Sequence, residues 1–223
     1  GWNSSYTGLP IPEAEMREWV EQTVERIRSL EAERVLEIGC GTGLLLFRLA
    51  PAAGDYWATD FSQAPLAYIQ QGLMEQKKEL PQLTLLRKAA DDFEGIEESA
   101  FDLVILNSVV QYFPSLDYLI NVLKGAFRAL RPGGSIFIGD VRSLPLLEAF
   151  HLAVQLHQAP PSLPIVQLQQ RVRKQMAEEE ELVIDPDFFT ALKQHFPEIS
   201  DVEILLKRGH HQNELTQFRY DVM

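Results

Sequence analysis

The sequence predicts an α/β protein built on a mainly parallel sheet, and three observations carry that prediction. From residue 34 to 140, short apolar runs alternate with longer stretches whose apolar residues recur at helical spacing. That is the pattern of strand–helix–strand units joined by right-handed crossovers. A turn with three glycines in five residues, Gly39 to Gly43, joins the first of those runs to the first crossover helix. Two strand-like segments close the chain with only a short polar loop between them, which makes an antiparallel hairpin.

Each element follows in order. After a polar, aromatic lead-in (Trp2 to Pro12), Met16, Val20, Val24, Ile27 and Leu30 mark a helix with Glu and Arg between them. Arg34 to Ile38 is a buried strand, and Leu44 to Leu49 begins the helix beyond the glycine turn. Asp55 to Thr59 is a second strand ending at Asp60, and Ala64 to Leu80 a second crossover helix. Leu83 to Arg87 and Phe101 to Leu106 are further strands. Ser115 to Leu130 is a helix stopped by Arg131-Pro132-Gly133-Gly134, and Ser135 to Gly139 a fifth strand ending at Asp140. Helices are expected at Leu144–His157, Ile165–Glu181 and Asp187–His195, with a proline-rich break at 159–164. The acidic run Glu178 to Glu181 reads as a solvated helix end. Val202 to Lys207 and Leu215 to Val222 are the strands of the hairpin.

With 223 residues, of which 46% are apolar and 23% charged, one domain over 1–223 accommodates all of this. The net charge of −12 argues against a protein that holds a phosphate backbone by charge, so no nucleic-acid partner is expected. Cys40 is the sole cysteine, which excludes a disulfide framework and a cysteine metal cluster; it reads as a buried filler, and no metal is expected. No apolar run reaches the roughly 18–20 residues of a membrane span, and no basic-then-apolar leader is present, so a cytoplasmic location is expected. Both ends read as cut from something longer, as in an excised domain.

The glycine turn has a physical purpose. Without side chains, its backbone turns sharply and a ligand can lie against the helix N-terminus, beyond the carboxyl ends of the strands. Asp60, ending the next strand, can accept hydrogen bonds from two ribose hydroxyls. The spacing is G-x-G-x-G, whereas a dinucleotide fingerprint is G-x-G-x-x-G. Glu37 before the turn would repel a pyrophosphate but can orient an ammonium. A nucleoside carrying an amino acid fits these residues better than a nicotinamide dinucleotide.

On these residues the sequence resembles the class I S-adenosylmethionine-dependent methyltransferases. Val35-Leu36-Glu37-Ile38-Gly39-Cys40-Gly41-Thr42-Gly43 matches the family's first motif, Asp60 its ribose-binding acid, Phe101 to Asn107 its fourth-strand motif and Leu130 to Gly134 its turn before the fifth strand. The resemblance implies a Rossmann-like seven-stranded sheet with an antiparallel last strand and extra helices before the final hairpin. It implies an N-terminal lid and helix (1–31), a cofactor-binding core (32–140), a helical cover (141–198) and a terminal hairpin (199–223). S-adenosylmethionine is the implied cofactor, leaving as S-adenosylhomocysteine. Tyr6, Glu37, Gly39, Gly41, Gly43, Asp60, Phe61, Ala90, Asp91 and Asn107 are its implied binding residues.

A narrower resemblance rests on Asn213-Glu214-Leu215-Thr216-Gln217-Phe218-Arg219-Tyr220, on Gly139 to Ser143 with His151 downstream, on Asn107 to Phe113 and on Trp2 to Gly8. These look like methyltransferase domains embedded in nonribosomal peptide synthetases and polyketide synthases. That implies a substrate held as a thioester on the phosphopantetheine arm of an acyl carrier protein, with neighbouring synthase domains as partners.

Methyl transfer from a sulfonium is an in-line displacement, so acceptor, methyl and sulfur must be aligned and a proton removed. His151 as general base, with Glu214 orienting its ring, is the expected catalytic pair; otherwise His151 packs in the fold and Glu214 caps the hairpin. His210 and His211 are rival bases, while His157 and His195 fall near helix ends. Gln111, Tyr112, Arg142 and Asn213 are the expected acceptor-side residues. Trp2 and Tyr6 either close over the cofactor or pack on the first helix. Arg171, Arg173 and Lys174 suit an acidic carrier surface or form a solvated basic face. A β-hydroxyl oxygen of a polyketide intermediate is the favoured acceptor. The reasons are the His/Glu base, a lead-in short for the carbon-methylating type, and an apparently whole excised domain. The nitrogen of an aminoacyl or peptidyl thioester is the alternative, and a carbon acceptor or a non-catalytic fold stands further off.

Overall fold

A computed structural model describes every residue except Gly1, Gln76 and Lys78. Its elements are α1 (Glu13–Arg28), β1 (Arg34–Ile38), α2 (Leu46–Leu49), β2 (Asp55–Asp60), α3 (Gln63–Glu75), β3 (Leu83–Arg87), β4 (Phe101–Asn107), α4 (Leu116–Ala129), β5 (Leu130–Arg142), α5 (Leu147–Gln158), α6 (Ile165–Ala177), α7 (Pro186–Leu192), β6 (Ile204–Leu206), α8 (Glu214–Gln217) and β7 (Arg219–Val222). The sheet order is β3-β2-β1-β4-β5-β7-β6. The first five strands pair in parallel, and β7 runs antiparallel between β5 and β6. The sequence order reverses beside β1, so the carboxyl ends of β1 and β4 flank the crevice where open α/β sheets bind ligands.

Burial explains why these segments became strands. Val35, Leu36, Glu37 and Ile38 are all buried, as are Phe101 to Leu106, because helices cover both sheet faces. One core layer gathers Leu36, Val104, Leu119, Val122 and Phe189; the other gathers Trp19, Val24, Val35, Leu46, Tyr56, Ile105 and Phe137. Ser115 caps α4 by accepting the Tyr118 N–H, which fixes that helix's start.

Four expectations shift. The helix expected to reach Leu80 ends at Glu75, and Gln76 and Lys78 within it lie outside the described residues. The strand Ser135–Gly139 is longer, 130–142, because Leu130 pairs with Phe101 and a register shift carries the ladder past the glycines. The helix expected over 165–181 stops at Ala177. Leu215 does not begin a strand: Asn213 caps a turn of helix, α8, and β7 starts only at Arg219.

A buried ionic cluster ties α1 to the antiparallel edge. Asp221, 1% exposed, pairs with Arg26 of α1 and accepts from Lys207 Nζ at 2.9 Å and from the Asp140 N–H at 2.9 Å. Asp140, fully buried, accepts from Arg219 at 2.6 Å, Ser108 Oγ at 3.0 Å and Trp19 Nε1 at 3.3 Å. Buried charge persists only with such partners.

Candidate active site

The glycine turn is held by the strand beside it. The N–H groups of Gly39 and Cys40 both donate to the Thr59 carbonyl, at 2.8 and 2.9 Å. Gly39 has φ +76°, and a Cβ there would meet Val109 Cγ2 at 2.5 Å. Gly41, at φ +50°, has open space where a Cβ would stand, so the turn presents bare backbone there. Asp60 shapes the turn as well as facing it: one carboxylate oxygen accepts the Gly41 N–H at 3.0 Å and the other the Ser62 N–H at 2.9 Å. Each oxygen keeps a lone pair for a ribose hydroxyl.

Phe61 beside it is 75% exposed, an aromatic face free for a base to lie on. Asn107, at the end of β4, has a buried Oδ1 with no partner, an acceptor awaiting a donor. These features suit a nucleoside with an amino-acid tail. Ala90 follows β3 on the same side of the sheet, whereas the Asp91 carboxylate is engaged by the Tyr118 hydroxyl at 2.7 Å. Glu37 is buried and accepts from the Tyr56 hydroxyl at 2.8 Å; burial pushes its pKa up to about 7, against the lowering by that bond. Burial also raises the Cys40 thiol far above its ordinary value, in keeping with an inert filler.

Beside the crevice lies a cavity of about 680 Å³. Its walls come from the lead-in (Trp2, Asn3, Ser5), the single turn after β4 (Gln111, Tyr112), the end of β5 (Arg142), α5 (Phe150, His151, Val154), residues 178–181, and α8 with its surroundings (Glu214, Phe218, Arg219). His151 Nε2 lies 3.2 Å from Glu179, which also accepts two bonds from Arg142, at 2.6 and 2.8 Å. Burial holds the His151 pKa below its ordinary value, with Glu179 acting in the opposite sense. Burial works against ionisation of Glu179, but the Arg142 guanidinium outweighs it and keeps the carboxyl below the usual range. With Nε2 of His151 toward Glu179, the other ring nitrogen is the one left to take a proton.

This arrangement departs from the expected one at several residues. Glu214 lines the same cavity but does not orient His151: it accepts from Ser5 N at 2.9 Å, Ser5 Oγ at 2.8 Å and Ser4 Oγ at 3.4 Å, pinning the lead-in. Asn213 is consumed by structure, capping α8 through Oδ1 and donating to Glu15 at 2.7 Å. Arg142 faces the cavity already paired with Glu179 and Glu181. Glu179 and Glu181 are thus cavity wall rather than a solvated helix end. No local pattern in the acidic run reveals this, because their partner lies on β5.

Gln111 and Tyr112 do line the cavity, the first 2% and the second 67% exposed. Trp2 stacks on Trp19 at 5.0 Å with the Arg219 guanidinium over its ring at 5.5 Å, so it packs on α1. Tyr6 meets His157 edge-on at 5.5 Å. His211 is paired with Glu18 on α1 at 2.6 Å, and His195 is exposed beyond α7. Among the described residues no group of His, Cys, Asp and Glu could hold a metal ion, and no helix is long and apolar enough to cross a membrane.

A family model described as a methyltransferase domain matches residues 36–136. Chondramide synthase cmdD of Chondromyces crocatus is 54% identical over 222 residues, 100% of this chain and 6% of that protein. Nonribosomal peptide synthetase penN of Penicillium thymicola is 36% identical over 222 residues, 99% of this chain and 8% of its own. The chain thus spans less than a tenth of these two relatives. Among solved structures, the methyltransferase domain of bacterial CtHen1-C superposes with a TM-score of 0.62 over 93% of this chain and 96% of that one, at 15% identity, a likeness of fold.

Proposed function

We propose that the chain is a class I S-adenosylmethionine-dependent methyltransferase domain of the kind embedded in peptide synthetases, and that it methylates the α-nitrogen of an aminoacyl or peptidyl thioester presented by a carrier domain. The observation that carries this reading is that the whole chain aligns inside far longer synthases, penN being a peptide synthetase by name, so amino acids are the material at hand.

The cofactor supplies an electrophilic methyl on a sulfonium. The glycine turn, Asp60, Phe61 and Asn107 would hold it, with the ribose hydroxyls on Asp60 and the amino-acid tail toward Glu37 and Asn107. Opposite them, the 680 Å³ cavity takes the acceptor. An α-ammonium must lose a proton before it attacks, and His151 is the group that takes it. Glu179, fixed by Arg142, keeps the ring oriented. The preference for oxygen stated from sequence leaned on a His151–Glu214 pair. That pair is not formed, and the His151–Glu179 pair that replaces it serves an amine equally.

The test is intact-mass analysis of carrier domains loaded in parallel with an α-aminoacyl and a β-hydroxyacyl group and incubated with this chain and S-adenosylmethionine. A gain of one methyl on the aminoacyl carrier, located on nitrogen by fragmentation, is expected. Gain on the β-hydroxyacyl carrier alone would replace the amine with an alcohol.

A further inference from the structure

Gln111 is a cavity-lining side chain whose amide oxygen has no partner among the described residues. It is 2% exposed, and its Oε1 is fully buried. Its backbone is firmly set: the turn closes through Tyr112 N to Val109 O at 3.0 Å and Phe113 N to Val110 O at 3.0 Å. The Gln111 carbonyl accepts the Leu182 N–H at 2.8 Å, joining this turn to the wall that carries Glu179. An unpaired buried amide oxygen is a standing cost, one a fold retains where a ligand supplies the missing donor. Among the described residues, the other buried side-chain atoms without a hydrogen bond are Arg26 Nε, Asn107 Oδ1 and Asp102 Oδ1, the last ion-paired with Arg131, and none lines this cavity.

We propose that the Gln111 amide, its Oε1 buried at the cavity wall, turns toward the acceptor as it binds, accepts an N–H of the reacting amine and thereby selects a nitrogen acceptor over a hydroxyl; this rests on the amine reading above. The chemistry distinguishes the two. After an ammonium gives one proton to His151, the neutral primary amine has a lone pair for the methyl carbon and two N–H bonds, one of which can point at Gln111 throughout. As the N–C bond forms the S–C bond breaks, sulfur keeps its electron pair, and the nitrogen sheds a second proton to solvent. A hydroxyl whose single proton goes to the base has none left for Gln111, and the amide oxygen would then face a growing negative charge. Gln111 is in this sense a specificity-determining residue, held on one wall while His151 acts from another.

The experiment uses Gln111→Met, close in length and without the amide, with Gln111→Leu as a second variant. Transfer to the α-aminoacyl carrier, S-adenosylmethionine affinity by calorimetry and thermal melting are measured on wild type and variants. The expected result is a fall in kcat on the aminoacyl carrier of about tenfold or more, cofactor affinity within twofold, and a melting temperature unchanged or raised by a few degrees, because an unpaired buried polar group has gone. Unchanged transfer to the amine would overturn the proposal, and so would a melting temperature lowered by several degrees in both variants, which would make Gln111 a structural residue. The wild-type control separates the two levels. If wild type methylates only the β-hydroxyacyl carrier, the amine reading itself has failed; if it methylates the amine and the variants do so equally well, Gln111 alone has failed.

Discussion

The two sides of the crevice are built on different plans. On the proposed cofactor side, the glycine turn, Asp60 and Asn107 lie at the ends of β1, β2 and β4, three consecutive strands with β1 in the middle, and each group is placed by the strand that carries it. On the acceptor side, one cavity draws on the lead-in, the turn after β4, the end of β5, α5, residues 178–181 and α8, and its key contacts join residues far apart in sequence. Ser5 reaches Glu214, and Arg142 reaches Glu179. The first plan fixes a common ligand with backbone; the second can change its substrate by altering segments that leave the sheet intact. The proposed binding site and the proposed acceptor site therefore share little structure.

The comparison breaks most visibly at His151. His151→Ala should lower methyl transfer by roughly 10²–10⁴-fold while leaving cofactor affinity alone, the loss expected for a general base; near-normal turnover would return the histidine to a packing role. Asp60→Ala is the converse. Loss of a charged acceptor worth about 1.5–3 kcal/mol should weaken S-adenosylmethionine binding roughly 10- to 100-fold by calorimetry, and an unchanged affinity would undo the ribose assignment.

Glu37→Gln sharpens the cofactor side by its pH dependence. A carboxyl whose pKa rises to about 7 on folding holds its proton longer in the folded chain than in the unfolded one. The folded state is thus penalised progressively as pH climbs from the ordinary carboxylate range to about 7. The variant should melt a few degrees higher than wild type at pH 8 and nearly level with it at pH 5. An equal gain at both would mean that Glu37 does not titrate in this window. The smallest effect belongs to Asn213→Ala. Loss of an N-cap costs about 1 kcal/mol, so melting should drop slightly with transfer retained; a collapse of transfer at full stability would bring Asn213 back to the acceptor.

The same contrast explains what could be read from the sequence. The bounds of β1 and β3 match the apolar runs Arg34–Ile38 and Leu83–Arg87, and Ser115 was legible as the start of α4, because propensity, burial and capping agree locally there. The glycine turn and Asp60 lie close in sequence and came out together. Glu179 was out of reach, because the acidic run around it looks like any solvated helix end until β5 supplies Arg142. Glu214 was recognised as important, but its partners are Ser4 and Ser5, more than 200 residues upstream. The strand expected from Leu215 failed because Asn213 and Thr216 form a capping box that outweighs the alternating pattern.

The clasp between Ser5 and Glu214 has a consequence for how such a chain is made. Translation delivers β1 to β4, with the glycine turn and Asp60, while the residues that complete the acceptor cavity are still unsynthesised. Glu214 is made after all five parallel strands, and only then can it fasten the lead-in, which precedes them in the sequence. The contact spans 209 residues, so it can close only after every strand between its ends has been made. On the function proposed above, the residues assigned to the methyl donor are thus synthesised before those that complete the acceptor cavity.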